Sequence, residues 1–141
     1  MAVVMTYATL GNLLDSSSSL SLLGLAETSA TTSAEADVST SDGGQLTIAV
    51  TSSATWQAGD VLLIKGYRAY SSASPKTFET LPSYEQRVLL TSASAIFATV
   101  LELMTGYWKI TVQNFSLFNR NTVTLTLDTV TGFTYGHSID P

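Results

Sequence analysis

Three segments of this chain alternate apolar and polar residues with a period of two, and this pattern restricts the fold more than any other feature. The apolar members are Leu46, Ile48 and Val50 in segment 45–52, Trp108, Ile110 and Val112 in segment 107–114, and Val123, Leu125 and Leu127 in segment 122–130. Successive side chains of a β-strand point to opposite faces of its sheet, so the pattern predicts strands with one buried face. We therefore expect a mainly β fold.

Further strands are predicted between these segments. Val61–Tyr70 opens with four apolar residues in a row, which is typical of a strand buried on both faces. Tyr84–Thr91 also has strand composition, and the segment between the two, 71–82, contains two prolines and is expected to be a loop. Short strands joined by Gly, Pro and Asn turns predict an antiparallel β-sandwich or a jelly-roll-like barrel.

Segment 92–105 is compatible with two structures. Helical spacing holds for Ile96, Phe97, Val100, Leu101 and Met104, and strand spacing holds for Phe97, Thr99, Leu101 and Leu103. The β-branched Ile, Thr and Val residues favour the strand, because branched side chains pack well on a pleated surface.

The N-terminal third differs in composition from the rest. The first basic residue is Lys65, and the 64 residues before it contain six carboxylates and no Lys, Arg or His. Within them, segment 16–42 has 13 Ser or Thr among 27 residues, a composition with little capacity to fold alone. We expect an extended N-terminal arm and Ser/Thr-rich linker at 1–44, ordered by neighbouring subunits, and a β-domain at 45–141.

The arm carries apolar residues that we predict to be assembly contacts. They are Tyr7, Leu10, Leu13, Leu14, Leu20, Leu22, Leu23 and Leu25. The spacing of Tyr7, Leu10 and Leu14 fits one or two helical turns, which the run of serines after Asp15 would end. The Ser and Thr residues of the linker fit an edge strand equally well.

Charge and composition disfavour several classes of function. Only 12% of the residues are charged, about half the ~25% of an average domain, and the formal net charge is −5. No basic cluster appears along the sequence, so we expect no nucleic-acid binding. The longest apolar run, at residues 1–5, has five residues, and the N-terminus lacks the pattern of a signal peptide, so we expect neither a membrane span nor a classical leader.

No constellation of residues predicts catalysis, a metal site or a cofactor. His137 is the single histidine and lies in a short C-terminal stretch that we expect to be a solvated tail. Glu79 and Glu85 flank a proline-containing loop, as paired carboxylates of glycosidases can, but two acids at this spacing are common by chance. Glu35 and Asp37 lack the dense oxygen ligands of a calcium loop. We predict a non-enzymatic protein without cofactors.

The leading functional hypothesis is a structural protein of a large assembly. A charge-poor Ser/Thr-rich surface, an arm and a β-domain are features of subunits with permanent contacts, because a charge buried at an interface has to be paired. We expect a capsid decoration, cement or minor coat protein on the surface of a phage virion. Its partners would be its own copies, with a trimer preferred, and a major coat protein.

The alternative hypothesis is a carbohydrate- or receptor-binding β-module of a fibre or an adhesin. Five aromatic residues cluster around the loop-rich middle of the sequence, where exposed rings could stack on sugars: Trp56, Tyr67, Tyr70, Phe78 and Tyr84. For Trp56, a core position and a ligand-facing position are both open. Trp108 is expected in the core because its neighbours alternate.

Overall fold

The computed structural model describes residues 1–13, 18–23, 27–28, 30–33, 35–52, 61–69, 71, 75–114 and 124–140. In these residues the regular secondary structure is β-strand, without a helix. The strands are β1 (Ala2–Asn12), β2 (Ser18–Leu23), β3 (Glu27–Thr28), β4 (Ala30–Thr32), β5 (Ala36–Asp37), β6 (Gly43–Thr51), β7 (Val61–Ala69), β8 (Tyr84–Leu89), β9 (Ile96–Met104), β10 (Tyr107–Asn114) and β11 (Thr124–Asp140).

The strands form two antiparallel sheets. The first is built around β11, which pairs with β1 and β2 along one edge and with β6 along the other. Strand β9 continues this sheet beyond β6, and β3 pairs with β2. In the second sheet, β10 pairs with β4 and β5 on one side and with β7 on the other, followed by β8. This architecture confirms the predicted antiparallel β-sandwich.

The core lies between the two sheets, where the alternating segments meet. Seven of the predicted inward residues are at most 2% exposed, namely Leu46, Ile48, Val50, Trp108, Ile110, Val112 and Leu127, whereas Val123 lies outside the described residues. The opening residues of β7 are buried on both of its faces, as the unbroken apolar run predicts. Segment 92–105 contains the strand β9 and not a helix. Its pairing with β6 over nine positions places Leu101 and Leu103 in the core.

The described part of the N-terminal segment is built into the same sandwich. Strand β1 pairs with β11 from Ala2 opposite Asp140 to Asn12 opposite Thr131. The helical turns that the spacing of Tyr7 and Leu10 predicts are therefore wrong, because both residues lie in β1. The pairing to β11, which shifts register between Thr9 and Gly11, satisfies backbone groups that a single helical turn would leave without partners.

Buried side chains of segment 1–44 also join the core. Leu13, Ala36 and Val38 belong to the same buried cluster as the residues of β6 and β10. The short strands β4 and β5 pair with β10, as the edge-strand alternative for the linker predicts. The division into an arm at 1–44 and a β-domain at 45–141 stays a prediction, and its described parts share one core.

The C-terminus corrects another expectation. Strand β11 continues to Asp140, well past the predicted end at Val130. His137 lies opposite Met5 in this strand and not in a flexible tail. A bulge between Leu127 and Thr129 shifts the register with β6, which explains why the alternation weakens there.

Two glycines permit close approaches that shape the sandwich. A Cβ at Gly132 would collide with the carbonyl oxygen of Gln45 on β6, so only glycine fits there. Gly106 has a φ of +137°, in a region that L side chains rarely adopt, and it closes the hairpin between β9 and β10.

We predict that Leu13→Ala destabilises the protein while Leu89→Ala does not. Leu13 is 8% exposed within the core cluster, and truncating a buried leucine costs about 2–5 kcal/mol. Leu89 is 59% exposed on β8, and such a change is usually within about 0.5 kcal/mol. Urea denaturation of both variants measures the difference. Equal, small effects would show that Leu13 does not pack in the core.

Candidate binding surfaces

The outer face of the second sheet brings together aromatic and positively charged side chains. Because Trp108 and Ile110 point into the core, the alternate residues Tyr107, Lys109 and Thr111 point outward. Lys109 lies opposite Tyr67 on β7, and Lys65 lies between Thr111 and Glu85. We define the cation–aromatic face as Lys65, Tyr67, Arg87, Tyr107 and Lys109, with Lys76 and Phe78 of the adjoining loop.

The loop at 75–83 is fastened to the edge of this face. The backbone N–H of Glu79 donates to the carbonyl of Arg68 at 3.0 Å, and that of Ser83 donates to the carbonyl of Gly66 at 2.9 Å. The Ser83 hydroxyl also donates to the Glu79 carboxylate. These bonds hold the loop along β7, so that its side chains reach the outward residues of β10.

Two cation–π contacts join the loop to β10. Lys76 Nζ lies 4.5 Å from the ring centroid of Tyr107, and Lys109 Nζ lies 4.7 Å from that of Phe78. Both distances are within the ~6 Å over which an aromatic ring attracts a cation. The contacts fix the position of both rings while leaving the phenyl and phenol groups half-buried and not enclosed.

Electrostatic interactions anchor Lys76 further. Its Nζ lies 2.9 Å from Glu35 Oε1, with side-chain exposures of 22% and 32%. The bond to the Glu35 carboxylate raises the pKa of Lys76 above its ordinary value. At this partly exposed site the pair contributes little to stability, but it holds the lysine over the Tyr107 ring.

A second group of contacts lies beside the cation–aromatic face and involves Arg68, Trp108 and Thr105. The Arg68 guanidinium donates to the carbonyl of Thr105 and lies 5.8 Å from the ring centroid of Trp108. The indole N–H of Trp108 donates to the carbonyl of Met104 at 2.8 Å, and the Thr105 hydroxyl donates to the carbonyl of Val38 at 3.0 Å. The β9–β10 hairpin is therefore tied to both sheets.

Sequence reasoning missed this collection of cations. Of the six Lys and Arg residues, Lys65, Lys76, Arg87 and Lys109 belong to the face, and Arg120 lies outside the described residues. They are far apart along the chain, so no basic cluster is visible in the sequence. Only the pairing of β7 with β8 and β10 brings them to one surface.

The outer face of the first sheet carries exposed apolar side chains on both of its outer strands, β1 and β9. Among the described residues, eleven large apolar side chains are exposed, and seven of them lie here at 49–74% exposure. These seven define the apolar face: Val3, Met5 and Tyr7 on β1, Ile139 on β11, and Ile96, Val100 and Met104 on β9. Between the β1 and β9 groups, the outward residues Gln45, Thr47 and Thr51 of β6 are polar. Exposed apolar clusters with polar neighbours are typical of interaction sites.

Between its two sides the apolar face is bridged by aromatic rings of β11. Phe133 contacts Tyr7 edge-on, with 6.1 Å between ring centroids. Tyr135 lies against Gly43 of β6, where an added Cβ would collide with its ring. The face therefore runs from β1 across β11 and β6 to β9.

The residues predicted as assembly contacts lie in different environments. Tyr7 is 69% exposed on the apolar face, Leu10 packs against the core, and Leu13 is buried in it. Leu20, Leu22 and Leu23 belong to strand β2, whereas Leu14 and Leu25 lie outside the described residues. The role of these residues in assembly stays a prediction.

The aromatic residues of the alternative hypothesis are divided by the sheet. Tyr67 and Phe78 belong to the cation–aromatic face, whereas Tyr84 packs against the core. Trp108 is 2% exposed, which confirms its predicted core position. Trp56 and Tyr70 lie outside the described residues.

The polar candidates do not assemble into a catalytic group in the part of the chain that the structure describes. His137 Nδ1 lies 2.5 Å from Asp42 Oδ2, and both side chains are about half exposed. Glu79 accepts a hydrogen bond from Ser83, whereas Glu85 lies opposite Lys65.

The described residues contain neither a metal-ligand cluster nor a helix that could cross a membrane. No cluster of three or more His, Cys, Asp or Glu residues that could hold a metal ion occurs among them. Nor do they include a helix with the length and apolar character needed to cross a membrane.

Comparisons with known proteins give a likeness of fold. No protein-family model and no curated protein sequence matches the chain. Among solved structures, the K3 cleaved adhesin domain of Lys-gingipain from Porphyromonas gingivalis W83 is similar, with a TM-score of 0.53 and 12% identity over 91% of this chain and 99% of that domain. The K1 adhesin domain of the same protein gives a TM-score of 0.45 and 11% identity over 92% and 97%, which is too low to support an argument. The chain therefore has an adhesin-like β-sandwich fold.

We predict that Ser39→Ala raises the pKa of Asp37 toward its ordinary value of 3.8. The Ser39 hydroxyl and backbone N–H donate to the same carboxylate oxygen, at 2.6 and 3.0 Å, and lower its pKa in the folded state. A lowered pKa means that the carboxylate stabilises the fold above the pKa of the unfolded chain. This contribution is lost as the pH falls through the folded-state value.

An NMR titration of the Asp37 carboxyl carbon measures the change, with Ser83→Ala as the control that removes a serine hydroxyl elsewhere. A pKa that stays low in Ser39→Ala, or that rises equally in both variants, would contradict the assignment.

Proposed function

We propose that this chain is a non-catalytic, adhesin-like binding module that holds a carbohydrate on its cation–aromatic face. The observation that carries the proposal is the position of Tyr67 beside Lys109, with Phe78 held over Lys109 by the loop at 75–83. The likeness of fold to the K3 adhesin domain, at 12% identity, supports this class of function by analogy.

The chemistry of the face suits a sugar. The C–H groups of a pyranose ring are apolar on one side and stack on an aromatic ring, which offers a large rigid surface. Lysine ammonium groups and the hydroxyl of Thr111 supply hydrogen bonds that orient the sugar hydroxyls. Tyr67, Lys65 and Lys109 are half-buried, so their ends reach solvent while strands β7 and β10 keep their bases rigid.

The loop at the edge of the face adds a concave surface. Residues Glu79 to Ser83 line an open depression of about 420 Å³. Leu81, which lines this depression, is 79% exposed and offers an apolar contact to a ligand. A ligand that extends from Tyr67 along β7 would contact this depression, because the loop is bonded to Gly66 and Arg68.

A second candidate function is the structural role in an assembly. It is favoured by the apolar face, which suits permanent contact with protein more than contact with water. A capsid decoration or cement protein that contacts a major coat protein on a virion is one form of this candidate. The observations on the cation–aromatic face do not bear on it, so the two functions are tested separately.

A glycan array probed with the full chain tests the carbohydrate proposal. We expect binding to a restricted set of glycans, weakened at least about tenfold, equivalent to about 1.4 kcal/mol, by Tyr67→Ala. Lys109→Ala is expected to weaken the same glycans through the loss of its hydrogen bonds and of its contact with Phe78.

Tyr7→Ala is the matched control, because it removes an exposed tyrosine from the opposite sheet. Binding that is unchanged in Tyr67→Ala and Lys109→Ala, or no glycan bound by the wild-type chain, would contradict the proposal. Circular dichroism spectra that match the wild type exclude misfolding as the cause of a loss.

A further inference from the structure

We infer that a second copy of this chain covers the apolar face, with the first sheets of the two copies packed face to face about a two-fold axis. The inference is independent of the carbohydrate proposal, which concerns the opposite surface. It is carried by the distribution of exposed apolar side chains, by the charge of the face and by its area.

The exposed apolar residues span the whole width of the first sheet. Tyr7 on β1 is 69% exposed, and Ile96 and Met104 on β9 are 74% and 60% exposed. Strands β1 and β9 are at opposite edges, with β11 and β6 between them. A partner strand added to the edge of β1 would leave Ile96 and Met104 in water. A partner lying on the face would cover both ends.

The face is compatible with its own copy because it carries little charge. Its described ionisable groups other than tyrosine are Glu102, Asp128 at the bulge, and His137 with the Asp42 carboxylate 2.5 Å away. Glu102 accepts a hydrogen bond from Gln45 at 2.6 Å, and Asp128 accepts one from Thr51 at 2.7 Å. These carboxylates keep their charge, and together with Asp42 they are three of the eleven acidic residues of the chain. Two copies can therefore approach here without a row of like charges.

The area of the face matches what a stable dimer needs. The strands are staggered, because β1 lies beside residues 131–140 of β11 whereas β6 lies beside residues 126–135. A partner that covers all 46 residues of β1, β6, β9 and β11 has a footprint of about 730 Å² on each copy, at ~4.8 Å between strands and ~3.3 Å per residue. Two copies then bury about 1,450 Å² in projection. Specific interfaces bury about 1,200–2,000 Å² in total.

A two-fold arrangement follows when one face meets its own copy, because the same surface patch is used on both subunits. The sheets would pack ~10 Å apart, as the two sheets within the sandwich do. This stoichiometry differs from the trimer expected from the sequence. It also leaves the cation–aromatic faces on the two outer sides of the dimer.

Analytical ultracentrifugation of the full chain tests the inference. We expect the wild type to be a dimer with a Kd below about 100 µM. Val100→Lys, at a position 49% exposed on the face, should weaken the dimer at least about 100-fold, because it buries an unpaired charge. Met104→Lys, at 60% exposure, is a second variant with the same expected effect.

Leu89→Lys is the matched control, since Leu89 is an exposed apolar residue, at 59%, on the outer face of the second sheet. Its dimer should keep the wild-type Kd within about twofold, and circular dichroism checks the fold of every variant. A wild-type chain that stays monomeric at about 100 µM would overturn the inference. So would a trimer, or a dimer that Val100→Lys and Met104→Lys leave intact.

Discussion

The pairing of β11 with three other strands is the constraint on which the rest of this structure depends. Strand β11 holds β6 along one edge and both β1 and β2 along the other, so it joins the two ends of the chain in one sheet. Gly132 lets its backbone approach β6 closely, and the bulge after Leu127 restores the register with the core. Among the described strands, β11 is the strand whose pairing joins β1 and β2 to the rest of the first sheet.

The two outer surfaces of the molecule differ in the side chains that they expose. On the first sheet, β11 places Phe133 and Tyr135 between the apolar residues of β1 and those of β9. On the second sheet, β7 and β10 turn Lys65, Tyr67 and Lys109 outward, away from the apolar core cluster. One surface therefore suits protein contact and the other suits a polar ligand with apolar faces, such as a sugar. A module that binds on one side and associates on the other would present two ligand sites per dimer.

The strands were predictable where one face is buried and the other is not. Leu46, Ile48 and Val50 alternate with polar residues because only one side of β6 meets the core, and the sequence shows that period directly. Strand β1 was not predictable in this way. Val3, Val4 and Met5 are consecutive and all exposed, so no period distinguishes a core side, and the register with β11 has no local signal. The cation–aromatic face was not predicted for a related reason. Lys65 and Lys109 are far apart in the sequence, and the pairing of β7 with β10 brings them close together.

The central claim is that strand β1 pairs with β11 of the same chain and has no partner on its other side among the described strands. Backbone amide hydrogen exchange in β1, measured by NMR on a dilute monomeric sample, tests this claim. In an antiparallel pair, alternate residues direct their N–H groups to the neighbouring strand. We expect β11 to protect every second amide from Val3 to Thr9, while the amides between them, which face no other described strand, exchange rapidly. Exchange of all these amides at the rate of an unstructured peptide would contradict it, because β1 would then be an arm without a partner in its own chain.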